Sequence, residues 1–260
     1  MSGAKTFNKL LKIAKTDPDI LGFVVGGSRG KGNTNKFSDY DLAFIVKDNK
    51  LKAFEKRYPY PHIEKDVSIY LFGYTEYLTQ HRKWEFLDEW IRSAATSEKL
   101  LVDKTKTLQK AQTERSLIPK DKLRKYVSMN IGAYINYVYR SIKSFRKGET
   151  LAARIQAVES LSPFLYVAFA LDERRPRPYY DYLRFELKQH PLKSLPISSN
   201  GLLESMSKIV NSGNIKTQQR LFKMFEKVCR KRGFGKVFDD WNPDSIELIK
   251  KYDKKVIEQD

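Results

Sequence analysis

The stretch "GFVVGGSRGKGNTNKFSDYDLAFIV", residues 22–46, decides the fold of this chain. Two short apolar runs rich in β-branched residues, 21–25 and 41–46, predict two strands. A Gly-Gly-Ser segment follows the first run, and after ten further residues Asp39 and Asp41 open the second. Because alternate residues of a strand point to the same side, both carboxylates are expected on one face of the sheet.

These residue types suit a phosphorylated ligand and a hard cation. Magnesium takes oxygen ligands and usually combines one or two protein carboxylates with substrate phosphates. Gly26 and Gly27 leave the backbone N–H groups open to a phosphate, since neither carries a side chain. Ser28 adds a hydroxyl at the predicted start of a helix, where anions are favoured. Arg29 adds positive charge, so the whole stretch predicts a phosphate and Mg²⁺ site.

A third carboxylate is expected from a later strand. Residues 65–73 alternate polar and apolar positions, which predicts a strand with two different faces. Asp66 lies on the polar face and is the expected third acid. Glu64 lies two residues earlier, so in an extended strand it would be on the same face, and it is the alternative third acid.

Helical and extended patterns divide the chain into two parts. The first part has helical patterns at 7–14 and 75–95, and a run at 99–103 that fits either an edge strand or a helix end. After about residue 115 only helices are predicted: 120–147, 149–171, 180–188, 201–232 with an interruption near "NSGN", and 244–257. The sequence therefore predicts an α+β fold, with an N-terminal domain at 1–115 and a helical domain at 116–260.

Charge and composition narrow the classes of partner. Lys and Arg number 49 against 31 Asp and Glu, a net charge of +18. Such a balance attracts phosphate-bearing partners, including nucleic acid, although solvated helix faces explain it equally well. The single cysteine, Cys229, excludes an internal disulfide. No apolar run reaches a membrane-spanning length and no secretory signal pattern is present, so a cytoplasmic protein without a membrane partner is expected.

The order of these motifs resembles the nucleotidyltransferase superfamily related to DNA polymerase β. Its signature, a hydrophobic residue with Gly-Gly/Ser, a gap, Asp-x-Asp on a strand and a later single acid, matches "VGGS" at 25–28, "DYD" at 39–41 and Asp66. The resemblance covers residues 21–72. It implies a mixed sheet with flanking helices, Mg²⁺ as cofactor and a nucleoside triphosphate as co-substrate.

The resemblance also implies a role for each motif residue. An acceptor hydroxyl attacks the α-phosphate in line and pyrophosphate leaves. Asp39 and Asp41 would hold the metal ions, while Asp66 would hold one ion and accept the hydroxyl proton. Gly27 and Ser28 would bind the β- and γ-phosphates.

Residues 145–187 look like the helical domain found behind bacterial nucleotidyltransferases of the small-molecule type, including aminoglycoside nucleotidyltransferases. In several of those enzymes a glutamate on such a helix is the general base, which points to Glu159. It lies one turn from Ile155 at the border of the apolar face, so we expect partial desolvation and added basicity; a surface contact is the alternative. Arg175 and Arg177 are candidates to reach the triphosphate, with solvated loop charge as the alternative.

The expected function is therefore transfer of a nucleoside monophosphate, with ATP as the expected donor, to a hydroxyl of a small, antibiotic-like acceptor. Aminoglycosides are polycations, so a chain with a net charge of +18 would repel them, which makes an aminoglycoside acceptor less favourable. Two alternatives follow from the charge. One is nucleotide transfer to tRNA or to a protein, as in nucleotidyltransferase toxins, and the other is a non-catalytic nucleic-acid-binding protein of the same fold.

Overall fold

The computed structural model describes residues 3–59, 62–64, 66–86 and 89–253. The chain divides into two compact units. The first contains Met1–Pro119 and Pro178–Phe185, and the second contains Lys120–Arg177 and Glu186–Asp260. The sequence predicts one boundary, after residue 115, and carries no sign that Pro178–Phe185 returns to the first unit.

The first unit is built on a mixed five-stranded sheet, which confirms the predicted fold class. Its order is β3-β4-β2-β1-β5; β2 and β4 run parallel, and the other neighbours are antiparallel. Residues 99–103, which fit either a strand or a helix end, form the edge strand beside β1. The strands are β1 (Ile20–Val25), β2 (Tyr40–Val46), β3 (His62–Glu64), β4 (Val67–Gly73) and β5 (Lys99–Asp103).

Helices cover both faces of this sheet. Leu10 of α1 and Phe54 of α3 pack with Phe44 on one face, whereas Tyr77 of α4 and Leu108 of α6 pack on the other. These two apolar layers stabilise the sheet because the helices bury apolar side chains on both of its faces. The helices are α1 (Gly3–Thr16), α2 (Gly27–Lys31), α3 (Leu51–Arg57), α4 (Tyr74–Thr79), α5 (Glu89–Ala95) and α6 (Leu108–Arg115).

The single helix predicted over 75–95 is wrong. A 3₁₀ segment, Gln80–Phe86, lies between α4 and α5. Lys83 within this segment leaves helical geometry, with φ −91° and ψ 16°. The amphipathic pattern over 75–95 predicts one continuous helix and carries no sign of this change of direction.

The second unit is helical, as predicted. Its longest helix, α7 (Lys120–Arg146), coincides almost fully with the predicted segment. Helix α10 (Tyr180–Gln189) begins among residues of the first unit. The others are α8 (Thr150–Glu159), α9 (Leu161–Leu171), α11 (Ser199–Ser212), α12 (Ile215–Lys231), α13 (Gly235–Asp239) and α14 (Pro243–Lys251).

The helix predicted over 149–171 is two helices, divided at Ser160. Pro163 has no N–H to donate to the carbonyl of Glu159, so the hydrogen-bond ladder is interrupted there. The predicted apolar face is also wrong for α8. Its exposed side chains include Leu151 at 74% and Ile155 at 49%. Its buried residues are instead alanines, and small side chains let α8 approach α7 closely, as the Ser141 hydroxyl shows by donating to a carbonyl of α8.

None of the described helices combines the length and the apolar character that crossing a bilayer requires.

Candidate active site

The Gly-Gly turn and Asp41 form one tightly packed unit between β1 and β2. The N–H of Gly26 donates to the carbonyl oxygen of Asp41 at 2.7 Å. Gly27 opens α2 with φ +58°, and a Cβ at this position would lie 2.3 Å from Oδ2 of Asp41. Ser28, the next residue of α2, is half-buried. The Asp41 carboxylate therefore lies directly against the Gly27 backbone, and a side chain at Gly27 would force this carboxylate to move.

Asp39 and Asp41 form a pair of like charges at the start of β2. Asp39 precedes β2 and is exposed, whereas Asp41 is half-buried. Burial raises the pKa of Asp41, and the negative charge of Asp39 raises it further. A divalent cation relieves both effects because it favours the ionised form of each carboxylate. The pair therefore fits Mg²⁺.

The rest of a cation's coordination shell would have to come from elsewhere. Among the described residues, no group of three or more His, Cys, Asp or Glu side chains is arranged to hold a metal ion. Two carboxylates alone leave an octahedral ion short of ligands, which is the usual situation where substrate phosphates and water complete the shell.

Asp66 is not part of such a cluster. It is exposed and precedes β4, and its carbonyl oxygen accepts a hydrogen bond from the N–H of Tyr40 at 2.7 Å. The parallel register places Ser68, a hydroxyl side chain, opposite Asp41. The role of Asp66 as third ligand stays a prediction. The side chain of the alternative, Glu64, lies outside the described residues.

Arg29 supports the backbone that leads into the carboxylate pair. Its Nε donates to the carbonyl of Asp39 at 2.8 Å, and its Nη2 donates to the carbonyl of Ser38 at 2.8 Å. The guanidinium carbon lies 3.7 Å from the centroid of the Tyr40 ring. The planar fork thus binds two carbonyls while stacking on an aromatic face. The predicted phosphate contact of Arg29 stays a prediction, and positioning Asp39 is the role that its contacts support.

Replacing Arg29 with lysine is expected to weaken Mg²⁺ binding while keeping the charge. Lysine cannot donate to both carbonyls and stack at once, so we expect about 1 kcal/mol lower stability. Thermal unfolding and a Mg²⁺ titration would measure the two effects. The control is Lys36→Gln, which removes a charge from the same loop and should change Mg²⁺ affinity little. Equal losses in both variants would contradict the positioning role.

A cavity of about 410 Å³ begins at the turn and the Asp41 carboxylate. Ala43, on the same strand face as Asp41, continues its wall, and all its lining residues belong to the first unit. The lining residues are Val24, Gly26, Gly27, Asp41, Leu42, Ala43, Tyr70, Leu71, Phe72, Gln80, Ile91, Ala94, Ser97, Glu98, Arg115, Tyr179 and Tyr182.

The hydroxyl of Tyr182 lies close enough to Asp41 and Asp39 to interact with them electrostatically. Burial raises its pKa, and the negative charges of Asp41 and Asp39 raise it further. Like an ordinary tyrosine, Tyr182 is protonated at neutral pH, so its hydroxyl can donate a hydrogen bond. Sequence reasoning missed Tyr182 because the pattern "YYDYLRFEL" indicates only a helix.

A buried ion pair forms another part of the cavity wall. Arg115 Nη1 donates to Oε2 of Glu98 at 2.6 Å, and the guanidinium carbon lies 4.3 Å from the centroid of the Tyr77 ring. Burial raises the pKa of Glu98, and Arg115 opposes that effect. Sequence reasoning missed this pair because no periodicity links a residue before β5 with the end of α6.

The three site residues predicted in the second unit have other surroundings than expected. Glu159 is exposed at the last residue of α8, so the desolvation expected for it is absent within its unit. Arg175 donates to carboxylate oxygens of Asp172 and Glu186. Arg177 is buried, with its guanidinium carbon 5.3 Å from the ring centroid of Tyr166. The proposed roles of all three in catalysis or triphosphate binding stay predictions.

The family profile described as "Nucleotidyltransferase domain" matches residues 7–138. Among solved structures, the chain is similar to a nucleotidyltransferase-like protein from Exiguobacterium sibiricum 255-15, with 12% identity over 88% of this chain and 79% of that one. The TM-score of 0.37 is too low to support a functional conclusion. No curated protein matches the chain.

Proposed function

The chain belongs to the nucleotidyltransferase domain family, and from this premise we propose that it transfers a nucleoside monophosphate from a nucleoside triphosphate to a hydroxyl of a small, antibiotic-like acceptor. The hydroxyl oxygen forms a bond to the α-phosphorus, the bond from that phosphorus to the bridging oxygen breaks, and pyrophosphate leaves. The hydroxyl proton passes to a carboxylate base, for which Asp66 and Glu159 are the candidates. ATP is the expected donor.

The packing of Asp41 against Gly27 at the cavity is the observation that carries this proposal. The turn presents backbone without side chains, which suits the close approach of a triphosphate. The pKa of Asp41, the more buried member of the carboxylate pair beside the turn, is raised by burial and by the charge of Asp39. A bound cation would remove the electrostatic penalty of the carboxylate pair, and the open backbone would accept the phosphates that the cation carries.

Mg²⁺ held by Asp39 and Asp41 would stabilise the charge that develops on the phosphate oxygens. Side chains of the protein would hold the cation in place and supply a hydrogen-bond donor. Asp41 stays ionised when the cation is bound, and Arg29 keeps Asp39 in place through the preceding carbonyls. Tyr182 offers a neutral hydroxyl donor near the same point.

Label transfer from α-labelled nucleoside triphosphates tests the proposal. The full chain would be incubated with Mg²⁺ and separate pools of hydroxyl-bearing small molecules, and release of pyrophosphate would be measured alongside the labelled product. We expect label in the small-molecule fraction and none without Mg²⁺. If no pool supports pyrophosphate release, the proposed reaction is wrong.

Transfer to tRNA or to a protein is the second candidate, favoured by the net charge of +18. The same assay with tRNA and protein fractions separates it, because label would then sediment with macromolecules. Salt-dependent tRNA binding without pyrophosphate release would instead favour a non-catalytic nucleic-acid-binding protein.

A further inference from the structure

The cavity beside Asp41 contains a buried amide whose oxygen has no partner. Gln80 is 8% exposed and opens the 3₁₀ segment between α4 and α5. Among the described residues, no donor lies within hydrogen-bonding distance of its Oε1. Buried amide oxygens are nearly always paired, because losing water without gaining another donor is unfavourable. Such an oxygen in a cavity wall is an acceptor available to a donor that a ligand brings.

The other walls of the cavity suit a flat ring. Tyr70 and Phe72 line it from β4, and Tyr179 and Tyr182 line it from the segment that returns to the first unit. Aromatic faces stack on planar heterocycles, and a cavity of 410 Å³ falls within the range of about 300–1,000 Å³ typical of small-molecule sites.

The cavity is continuous with the proposed triphosphate site. Gly27 and Asp41 line the same cavity as Gln80. A nucleotide whose phosphates lie at Gly27 would thus have its base and sugar directed along the aromatic walls. This continuity favours the base over an unconnected acceptor molecule as the ring that the cavity holds.

We propose that the cavity holds the base of the nucleoside triphosphate and that Gln80 Oε1 accepts a hydrogen bond from an exocyclic amino group on that base. Gln80 is then a specificity-determining residue, and the enzyme prefers adenine over purines that lack the 6-amino group. This inference rests on the proposed function, since it assigns the base end of the same substrate.

Binding of a matched nucleotide pair tests the inference without requiring an acceptor. Calorimetric titration of the full chain with Mg²⁺ would compare ATP with purine riboside triphosphate, which differs only by lacking the 6-amino group. We expect at least tenfold tighter binding of ATP by the unmodified protein. In Gln80→Met, which keeps the length of the side chain but not the acceptor, we expect the two nucleotides to bind alike.

Two further variants make the result specific. Gln80→Glu keeps an acceptor at the same place and should retain a preference for ATP. Gln109→Met removes an exposed glutamine outside the cavity and should bind both nucleotides as the unmodified protein does. Melting temperatures of all variants would verify folding, and Gln80→Met should not melt lower, since it removes a buried unpaired oxygen.

Each other outcome overturns the inference. Equal binding of the pair by the unmodified protein, or a preference that survives Gln80→Met, removes Gln80 from base recognition. If Gln80→Met leaves nucleotide affinity intact but raises the KM for the acceptor, the cavity belongs to the acceptor. Absence of any triphosphate binding with Mg²⁺ would be the separate failure of the proposed function itself.

Discussion

Replacing Asp41 with asparagine is expected to abolish nucleotidyl transfer and yet leave the folded protein more stable at neutral pH. Loss of one carboxylate of the pair removes charge stabilisation at the phosphates, and a fall of about 100-fold or more in turnover is expected. The gain in stability has a separate cause. The pKa of Asp41 is raised because its charged form is half-buried and lies beside Asp39, so ionisation of Asp41 destabilises the folded protein. Asparagine has nearly the same shape and carries no charge, so it avoids this penalty.

The pH dependence of this gain follows from the direction of the pKa shift. An acid whose pKa is higher in the folded protein than in the unfolded chain loses its proton at a lower pH in the unfolded chain. The free energy of unfolding therefore falls as pH rises from the unfolded pKa to the folded one. The penalty is therefore absent at low pH and fully present at neutral pH. Thermal unfolding should show the largest advantage of Asp41→Asn near pH 7, shrinking as pH falls toward 3.8, the ordinary value for aspartate.

Magnesium provides a measurement that is independent of activity. Mg²⁺ should raise the melting temperature of the unmodified protein, because a ligand that binds the folded state stabilises it. It should raise that of Asp41→Asn much less. Asp66→Asn is the informative companion, since a similar loss of the Mg²⁺ effect would support Asp66 as third ligand. An unchanged Mg²⁺ response in Asp41→Asn would rule out the carboxylate pair as the metal site.

Gly27→Ala is expected to have the second large effect, and Gly32 offers a matched control. Both glycines have left-handed backbones, with φ +58° and +76°. Alanine at either position costs about 1–2 kcal/mol for that conformation. At Gly27 the new Cβ would also lie 2.3 Å from Oδ2 of Asp41, whereas at Gly32 no described atom lies within 4 Å.

The difference between the two variants isolates the effect on the site. Both should melt at lower temperature than the unmodified protein, and only Gly27→Ala should also lose Mg²⁺ affinity and transfer, by about 100-fold for the latter. Chemical denaturation measures the loss in free energy of unfolding of each variant, and the label-transfer assay measures its activity. If Gly32→Ala lost as much transfer as Gly27→Ala, backbone strain alone would explain both, and close packing of Gly27 on Asp41 would have no functional part.

Local patterns were enough to predict the centre of the sheet. β1 and β2 are continuous apolar runs next to glycine and aspartate, and β4 alternates clearly between its faces, so each carries its own signal. β3 spans only His62–Glu64 and its pairing with β4 is a tertiary contact. A strand of three residues is too short to show an alternation of polar and apolar residues, so the sequence does not predict it.

Helix burial was harder to predict than helix position. In α8 the larger apolar residues Leu151 and Ile155 are exposed, and Ala153 and Ala157 are buried. Hydrophobicity alone ranks leucine and isoleucine inward. Close packing on α7 reverses that order because only small side chains fit between the helices.

Residues that are neighbours in the chain were enough to predict the Gly-Gly turn, the pair Asp39 and Asp41 at the start of β2, and the resemblance to nucleotidyltransferases. Three contacts required the folded structure: Asp41 packs on Gly27, Arg29 binds carbonyls beside the pair, and Gln80 and Tyr182 line one cavity. These contacts join residues from separate elements. Their positions follow from how the elements pack, which no local period encodes.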